Sequence, residues 1–277
     1  FRDVLEMGYE KRYEHYDRDL ELPPPLVPRA LRFPVNERIT ARGEVNVPLA
    51  EDELAPIADA LRAADIEAVA IGFLHAYAND AHERRAGEIL AARLPGTAIT
   101  LSSAVCPEIR EYERFSTACA NAYVQPLMAR YLGRLAAELE RLGLRCPLYL
   151  MTSGGGLTTL ETARRFPVRL IESGPAGGAI LSAGIARANG IAEVLSFDMG
   201  GTTAKICFIS DGRPEQSRKL EVARVWRNLK GSGLPVRVPV TEMVEIGAGG
   251  GSIARLDALG RIRVGPQSAG AEPGPVC

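Results

Sequence analysis

From Pro48 onward, short continuous apolar runs alternate with stretches of helical spacing, and that alternation restricts the chain to layered α/β architectures. Glu51–Ala64 sets Leu54, Ile57, Ala58 and Leu61 on one helical face. Ala68–Leu74 reads as a strand buried on both faces. Asp80 is placed to cap a helix running to Leu94, which Pro95-Gly96 ends, and Ile99–Leu101 resumes a strand. Apolar positions from Phe115 to Leu142 predict a long helix, restarted or kinked at Pro126 and closed by Gly143. Strands are expected at Leu148–Met151, Val168–Ile171, Val194–Phe197 and Lys205–Ser210, and helices at Leu160–Arg165 and Ala176–Ala188. The regularity predicts a largely parallel sheet. Residues 1–50 differ: a charged run from Glu10 to Arg18 leads into Pro23-Pro24-Pro25. They read as a peripheral hairpin with short strands near Leu31–Val35 and Glu44–Val47.

Composition narrows the function classes. A 46% hydrophobic fraction over 277 residues can fill a sizeable core, which argues against disorder. Thirty-three Lys and Arg against 34 Asp and Glu leave a net charge of −1, without the basic surplus a nucleic-acid binder uses. No apolar run reaches the roughly 18 residues of a membrane span. Phe1 follows neither an initiator Met nor a signal segment, so the start reads as a cut. The five cysteines (Cys106, Cys119, Cys146, Cys207, Cys277) form no C-x-x-C pair, and small buried thiols in a reducing cytoplasm are the plain reading.

The strongest chemical signal is Asp198-Met199-Gly200-Gly201-Thr202-Thr203-Ala204-Lys205. An apolar strand ends in a carboxylate, two glycines and two hydroxyls follow, and a second strand returns. Glycines let main-chain N–H groups approach an anion without a Cβ in the way, and Thr202 and Thr203 add hydroxyl donors. A carboxylate beside such a cradle holds Mg²⁺ through water. An ordinary Gly-rich hairpin, with Asp198 bonding its own turn, is the alternative. Gly247, Gly249, Gly250 and Gly251 form a second glycine loop, read as either an anion contact or a tight connection. Ser153–Gly156 ends a strand where α/β sheets place ligands. Glu172 precedes a helix rich in small residues, where the helix dipole favours a carboxylate, and Ser173-Gly174-Pro175 reads as that helix's cap and first turn. Arg110–Arg114 with Asn121 reads first as a solvated, ion-paired helix face, and His82 as a solvated helix residue.

Several chemistries lack their spacing. There is no Gly-x-x-x-x-Gly-Lys-Ser/Thr, no dinucleotide fingerprint at Gly247, no Gly-x-Ser-x-Gly and no His-Glu-x-x-His.

A small-residue helix, a strand and an Asp-x-Gly-Gly-Thr hairpin in succession resemble the actin-like ATPase superfamily, which has ribonuclease H-like lobes. Within it the chain resembles the hydantoinase A / 5-oxoprolinase family, which includes ATP-dependent N-methylhydantoinases and nucleotide-binding subunits of acetone-type carboxylases. The matching motifs run from Phe1–Glu6 and Pro25–Arg29 through Asn79–Arg85, Pro107–Arg114 and Asn121–Pro126. They continue in Glu172–Gly178, the Asp198 hairpin, Gly247–Ile253 and Gly265–Pro275. The resemblance implies α/β actin-like lobes, incomplete here, with residues 1–172 in an N-terminal hydantoinase/oxoprolinase lobe and 173–277 opening the second. Family members open with a further Asp-x-Gly-Gly-Thr hairpin that forms half of the phosphate site; no such motif precedes Phe1, so this chain alone is expected to be inactive.

What the resemblance implies for function is ATP-dependent ring opening of a cyclic amide, such as a hydantoin or 5-oxoproline, by phosphorylation of the lactam oxygen. The alternatives are the nucleotide-binding subunit of an acetone-type carboxylase and a non-catalytic nucleotide-binding module. ATP and Mg²⁺ are the implied cofactors, and a hydantoinase B-type subunit is the implied partner. Asp198 would ligate the metal and act with Glu172 in catalysis, Glu172 positioning water. Gly200, Gly201, Thr202, Thr203 and Lys205 would contact phosphate, joined by Gly247, Gly249, Gly250 and Gly251. The family's commoner pattern has a second Asp where this chain has Lys205, so metal ligation rests on Asp198.

Overall fold

Alternating helix and strand segments build a mixed α/β structure whose residues divide into two units. The computed structural model describes residues 1–9, 14–226, 229–270, 272 and 274. The start of the charged run (Glu10–Tyr13), the end of the Gly265–Pro275 motif and Cys277 lie outside the described residues.

The first unit comprises residues 1–150, 158–169 and 218–238. Its N-terminal part pairs β1 (Arg38–Ile39) antiparallel with β2 (Val45–Val47). The strand expected at Leu31–Val35 does not form. Arg29–Leu31 makes a single 3₁₀ turn, and Pro34 has no N–H for a ladder, while Val35 packs against the core. Next come α1 (Leu54–Ala63), β3 (Ala68–Ile71), α2 (Ala81–Arg93) and β4 (Ala98–Leu101). β3 and β4 pair in parallel, Ala68 opposite Ala98 through Ile71 opposite Leu101. Leu54, Ala58 and Leu61 of α1 meet Ala86 and Leu90 of α2 beside Ile71, the spacing read from sequence. Asp80 stands at the N-cap of α2 without capping through its side chain; its carboxylate pairs with Arg84 at 3.0 Å instead. Asn79 supplies the acceptor for the Ala81 N–H.

α3 (Glu111–Arg141) packs across β3 and β4. It runs through Pro126 without restarting, because packing along its length holds the turn that lacks one backbone bond. α4 (Leu160–Arg165) lies against α3, its first turn capped by the Thr159 hydroxyl. The strand expected at Val168–Ile171 is a 3₁₀ turn, Pro167–Leu170. The Val168 N–H donates to Asn121 Oδ1 at 3.3 Å rather than to a neighbouring strand.

The second unit comprises residues 151–157, 170–217 and 239–277. It contains α5 (Ser173–Ala188), β5 (Glu193–Met199), β6 (Ala204–Ser210) and β7 (Val244–Ile246), with the sheet order β7-β6-β5. Every pairing in this sheet is antiparallel, which corrects the expectation of a largely parallel one. A four-residue turn leaves no room for the crossover that parallel pairing requires. Strand alternation sets Val194, Ser196 and Asp198 on the same face as Lys205, Cys207 and Ile209. That face packs against Ala179 and Ala183 of α5. β8 (Ser252–Leu256) and β9 (Ile262–Ser268) form a further antiparallel pair.

Candidate functional site

The antiparallel register fixes the geometry of the Asp198 turn. Asp198 and Lys205 are direct cross-strand partners, so both side chains leave the same face of the sheet, one residue before the turn on each side. Gly200 N–H closes the turn on the Thr203 carbonyl at 3.0 Å. Among the described residues, no acceptor is found for the N–H groups of Gly201, Thr202 and Thr203. Asp198, Gly201 and Thr202 are exposed. Three successive unengaged donors, two hydroxyls, a carboxylate and an ammonium therefore gather within one hairpin end.

Glu172 joins them from the start of α5. Its Oε1 lies 3.2 Å from Lys205 Nζ. Glu172 rather than Ser173 occupies the N-cap, in the left-handed conformation (φ 58°), and its side chain makes no capping bond. The carboxylate is committed to Lys205, and the main chain turns sharply to deliver it there. A non-glycine residue in this region is held at a cost of about 1 kcal/mol or more, which the ion pair and the helix start offset.

The second glycine loop meets the turn directly. Gly250 N–H donates to the Gly200 carbonyl at 3.0 Å and Gly251 N–H to the Gly201 carbonyl at 2.8 Å. Gly249 N–H donates to Ser252 Oγ at 2.9 Å. A Cβ on Gly249 would stand 2.6 Å from the Gly200 oxygen and 2.7 Å from Thr202 N, so only glycine fits. These three amides are spent inside the protein, where they brace the turn. Ser252 was given no role from the sequence; a hydroxyl directly after a glycine run was the available signal. For Gly247 no such bond is found among the described residues.

The Ser153–Gly156 turn has a packing explanation. A Cβ on Gly154 would press on Pro239 at 3.3 Å, and one on Gly155 would meet the Ile180 side chain of α5 at 2.8 Å. On α5, Ala176, Ala179, Ala183 and Ala186 are buried, whereas a Cβ on Gly174, Gly178 or Gly184 would meet nothing within 4 Å. The close approach within this unit is made by the alanines.

In the first unit, the Arg110–Arg114 segment is not the solvated face that charge alone suggested. Glu113, Arg114 and Asn121 are buried. Arg114 donates to Ser102 Oγ, the Glu108 carbonyl and the Phe73 carbonyl. Fully buried Glu83 accepts from Phe73 N–H, Ser103 N–H and the hydroxyls of Ser102 and Ser103. His82 is likewise buried, its Nδ1 2.8 Å from Glu37 Oε2. Every one of these groups is satisfied by protein partners, so the cluster is a framework and not a reactive centre.

Cys106, Cys119 and Cys207 are buried and Cys146 is exposed. Burial pushes the Cys106 and Cys119 thiols up to about 11, which leaves them protonated and unreactive. Among the described residues, no three His, Cys, Asp or Glu side chains gather as a metal centre. With Glu172 engaged by Lys205, the turn itself offers the carboxylate of Asp198, and β7 sets exposed Glu245 on the same sheet face, directly across from Lys205. That donor set suits an ion such as Mg²⁺, which keeps most of its waters and takes one or two carboxylates plus phosphate oxygens. No helix among the described residues is long and apolar enough to cross a membrane.

Two family models match the chain: Hydantoinase/oxoprolinase over residues 114–277, and Hydantoinase/oxoprolinase N-terminal region over residues 1–94. The caprolactamase subunit alpha of Pseudomonas jessenii is 39% identical over 277 residues, covering 99% of this chain and 38% of that protein. The crystal structure of ATP-dependent caprolactamase from Pseudomonas jessenii superposes with a TM-score of 0.79 at 37% identity, covering 100% of this chain and 39% of that one. A nucleotide-free structure of acetone carboxylase superposes with a TM-score of 0.75 at 27% identity, covering 97% of this chain and 38% of that one. The chain spans about two fifths of the length of the caprolactamase subunit and smaller shares of other curated relatives, 34% of an acetone carboxylase beta subunit and 16% of a 5-oxoprolinase.

Proposed function

The chain belongs to the hydantoinase/oxoprolinase family, and on that premise we propose that its Asp198 hairpin grips the phosphates of ATP in an enzyme that opens a cyclic amide. One observation carries this reading: the unengaged N–H groups of Gly201, Thr202 and Thr203 beside Asp198 and Lys205. Backbone donors held on a braced turn cost no reorganisation when a phosphate arrives, which is what electrostatic stabilisation of phosphoryl transfer requires. The Thr202 and Thr203 hydroxyls add donors, and Gly249, Gly250 and Gly251 keep the cradle's shape. Lys205 presents its ammonium to phosphate oxygens, and Glu172 fixes that ammonium and, once phosphate draws Lys205 away, orients a water. Asp198 would hold Mg²⁺, which supplies charge neutralisation when bound. In this reading the two units belong to lobes of the actin-like ATPase type.

A lactam carbonyl is a poor electrophile. Transfer of the terminal phosphoryl group to its oxygen, with ADP leaving, activates the ring carbon. Attack by one water with cleavage of the C–N bond, the nitrogen taking the proton, opens the ring to an acyl phosphate, and a second water hydrolyses that to the carboxylate and free phosphate. The structural likeness to acetone carboxylase supports a second reading, in which the phosphoryl acceptor is a ketone enolate or bicarbonate. A second subunit of the hydantoinase B type accompanies the chain in either case; the relative being a "subunit alpha" supports this.

The test is phosphate release from Mg-ATP by the complete protein against a panel of lactams, hydantoins and ketones with bicarbonate. Release that depends on a cyclic amide supports the first reading. Release that requires ketone and bicarbonate supports the second. Nucleotide binding with no substrate-dependent release would sink both and leave a non-catalytic module.

A further inference from the structure

We propose that Glu245 is a further specificity-determining residue of the hairpin site, an inference that rests on the nucleotide reading and adds to it a residue which that reading leaves idle. Glu245 tunes the site to admit a nucleotide together with its divalent cation and to refuse the free nucleotide. Its place is set by register. Glu245 is the cross-strand partner of Lys205 on β7, as Asp198 is on β5, so the three side chains leave one sheet face in the order Asp198, Lys205, Glu245.

Each of the two outer carboxylates stands just before a glycine loop. Asp198 precedes the Gly200-Gly201 turn. Glu245 precedes the loop from Gly247 to Gly251, whose last two amides donate to the Gly200 and Gly201 carbonyls at 3.0 and 2.8 Å. A ligand seated on the braced loops therefore has both carboxylates at its side.

Charge along this row does not balance. Lys205 is committed to Glu172 at 3.2 Å, and its side chain is only 17% exposed. Asp198 and Glu245 are exposed, and no ion pair is found for either among the described residues. Glu172, Asp198 and Glu245 against Lys205 alone leave an excess of two negative charges beside the amide cradle. The turn amides attract a phosphate, and the row next to them repels it. A phosphate that arrives with a divalent cation meets both demands at once. Asp198 is the carboxylate proposed to hold that cation, so Glu245 acts through its charge. Two unit charges about 4 Å apart in water shift an equilibrium roughly fivefold, and more where the ligand excludes solvent.

The experiment is calorimetric binding of a non-hydrolysable ATP analogue to the complete protein, once in EDTA and once with excess Mg²⁺. The readout is the gap between the two affinities. Glu245→Gln should narrow that gap about fivefold or more by tightening the free nucleotide, a gain of binding that no structural damage produces. Glu245→Asp, which keeps the charge, should preserve the gap. Glu193→Gln makes the same charge change at the far end of β5 and should leave it within about twofold. Raising the salt from about 0.05 to about 0.5 M should shrink the difference between wild type and Glu245→Gln, because the interaction is screened. A gap that Glu245→Gln leaves unchanged, or narrows only by weakening the Mg²⁺ form, overturns this inference and spares the nucleotide reading. So does a wild-type protein that binds both forms equally. A wild-type protein that binds neither form overturns the nucleotide reading and this inference with it.

Discussion

The two units use charged residues in opposite ways. In the first, Glu83, Arg114, Glu113 and Asn121 are buried: Glu83 accepts from main-chain N–H groups and serine hydroxyls, Arg114 donates to Ser102 Oγ and backbone carbonyls, Asn121 donates to Thr100 and accepts from the Val168 N–H, and Glu113 faces Arg237. In the second, Asp198 is exposed, Lys205 and Glu172 are paired at its side, and three turn amides have no acceptor among the described residues. A buried network that is fully satisfied fixes one arrangement of the chain. An exposed set with spare donors stabilises little and is available to a ligand. Charge in the first unit belongs to stability and, in the proposed reading, charge in the second to chemistry, so the two should separate when residues are replaced.

The largest effect is expected at Glu83. Glu83→Ala strands four donors in a dry site and should lower the stability of the first unit by roughly 3 kcal/mol, read by urea unfolding. A loss below about 1 kcal/mol would break the contrast. Gly249→Ala comes next, because the new methyl group collides with the turn backbone. It should cost about 1–3 kcal/mol and weaken Mg-ATP binding together, measured by unfolding and calorimetry on the same sample. Asp198→Ala should change stability by no more than about 0.5 kcal/mol. If Asp198 holds the metal as proposed, Mg-ATP affinity in the complete protein should nevertheless fall about tenfold or more.

The smallest effect concerns the thiols. Iodoacetamide at pH 8 should modify Cys146 while peptides containing Cys106 and Cys119 stay unmodified until urea unfolds the chain. Because burial raises these pKa values, the unfolded chain gives up thiol protons first. Stability should therefore decline as pH rises past about 8.5, a trend followed by thermal melting.

Local elements were legible where a pattern closes on itself. The spacing of Leu54, Ala58 and Leu61 gives α1, and the apolar strands around Asp198 give the hairpin. The register that sets Lys205 opposite Asp198 comes from the structure, where a four-residue turn joins the strands. Partners distant in sequence were not legible. Val168 leaves a strand-like run because its N–H finds Asn121, 47 residues earlier, and nothing in the run itself records that. Arg114 looks like a surface charge until Ser102, Glu108 and Phe73 are brought around it, and Glu113 until Arg237 faces it. The hairpin pair was legible, but the sheet's continuation antiparallel through β7 was not: strand–helix alternation says which elements exist, while the length of each connection decides the direction of pairing.

The contact between Gly249 and the Gly200–Thr202 backbone ties two segments nearly 50 residues apart into one mechanical part. Neither can drift without the other. Any redesign that widens the grip around Thr202, for a bulkier anion or a different nucleotide, must be written into both loops at once, and a change made in one alone would be registered as damage in its counterpart.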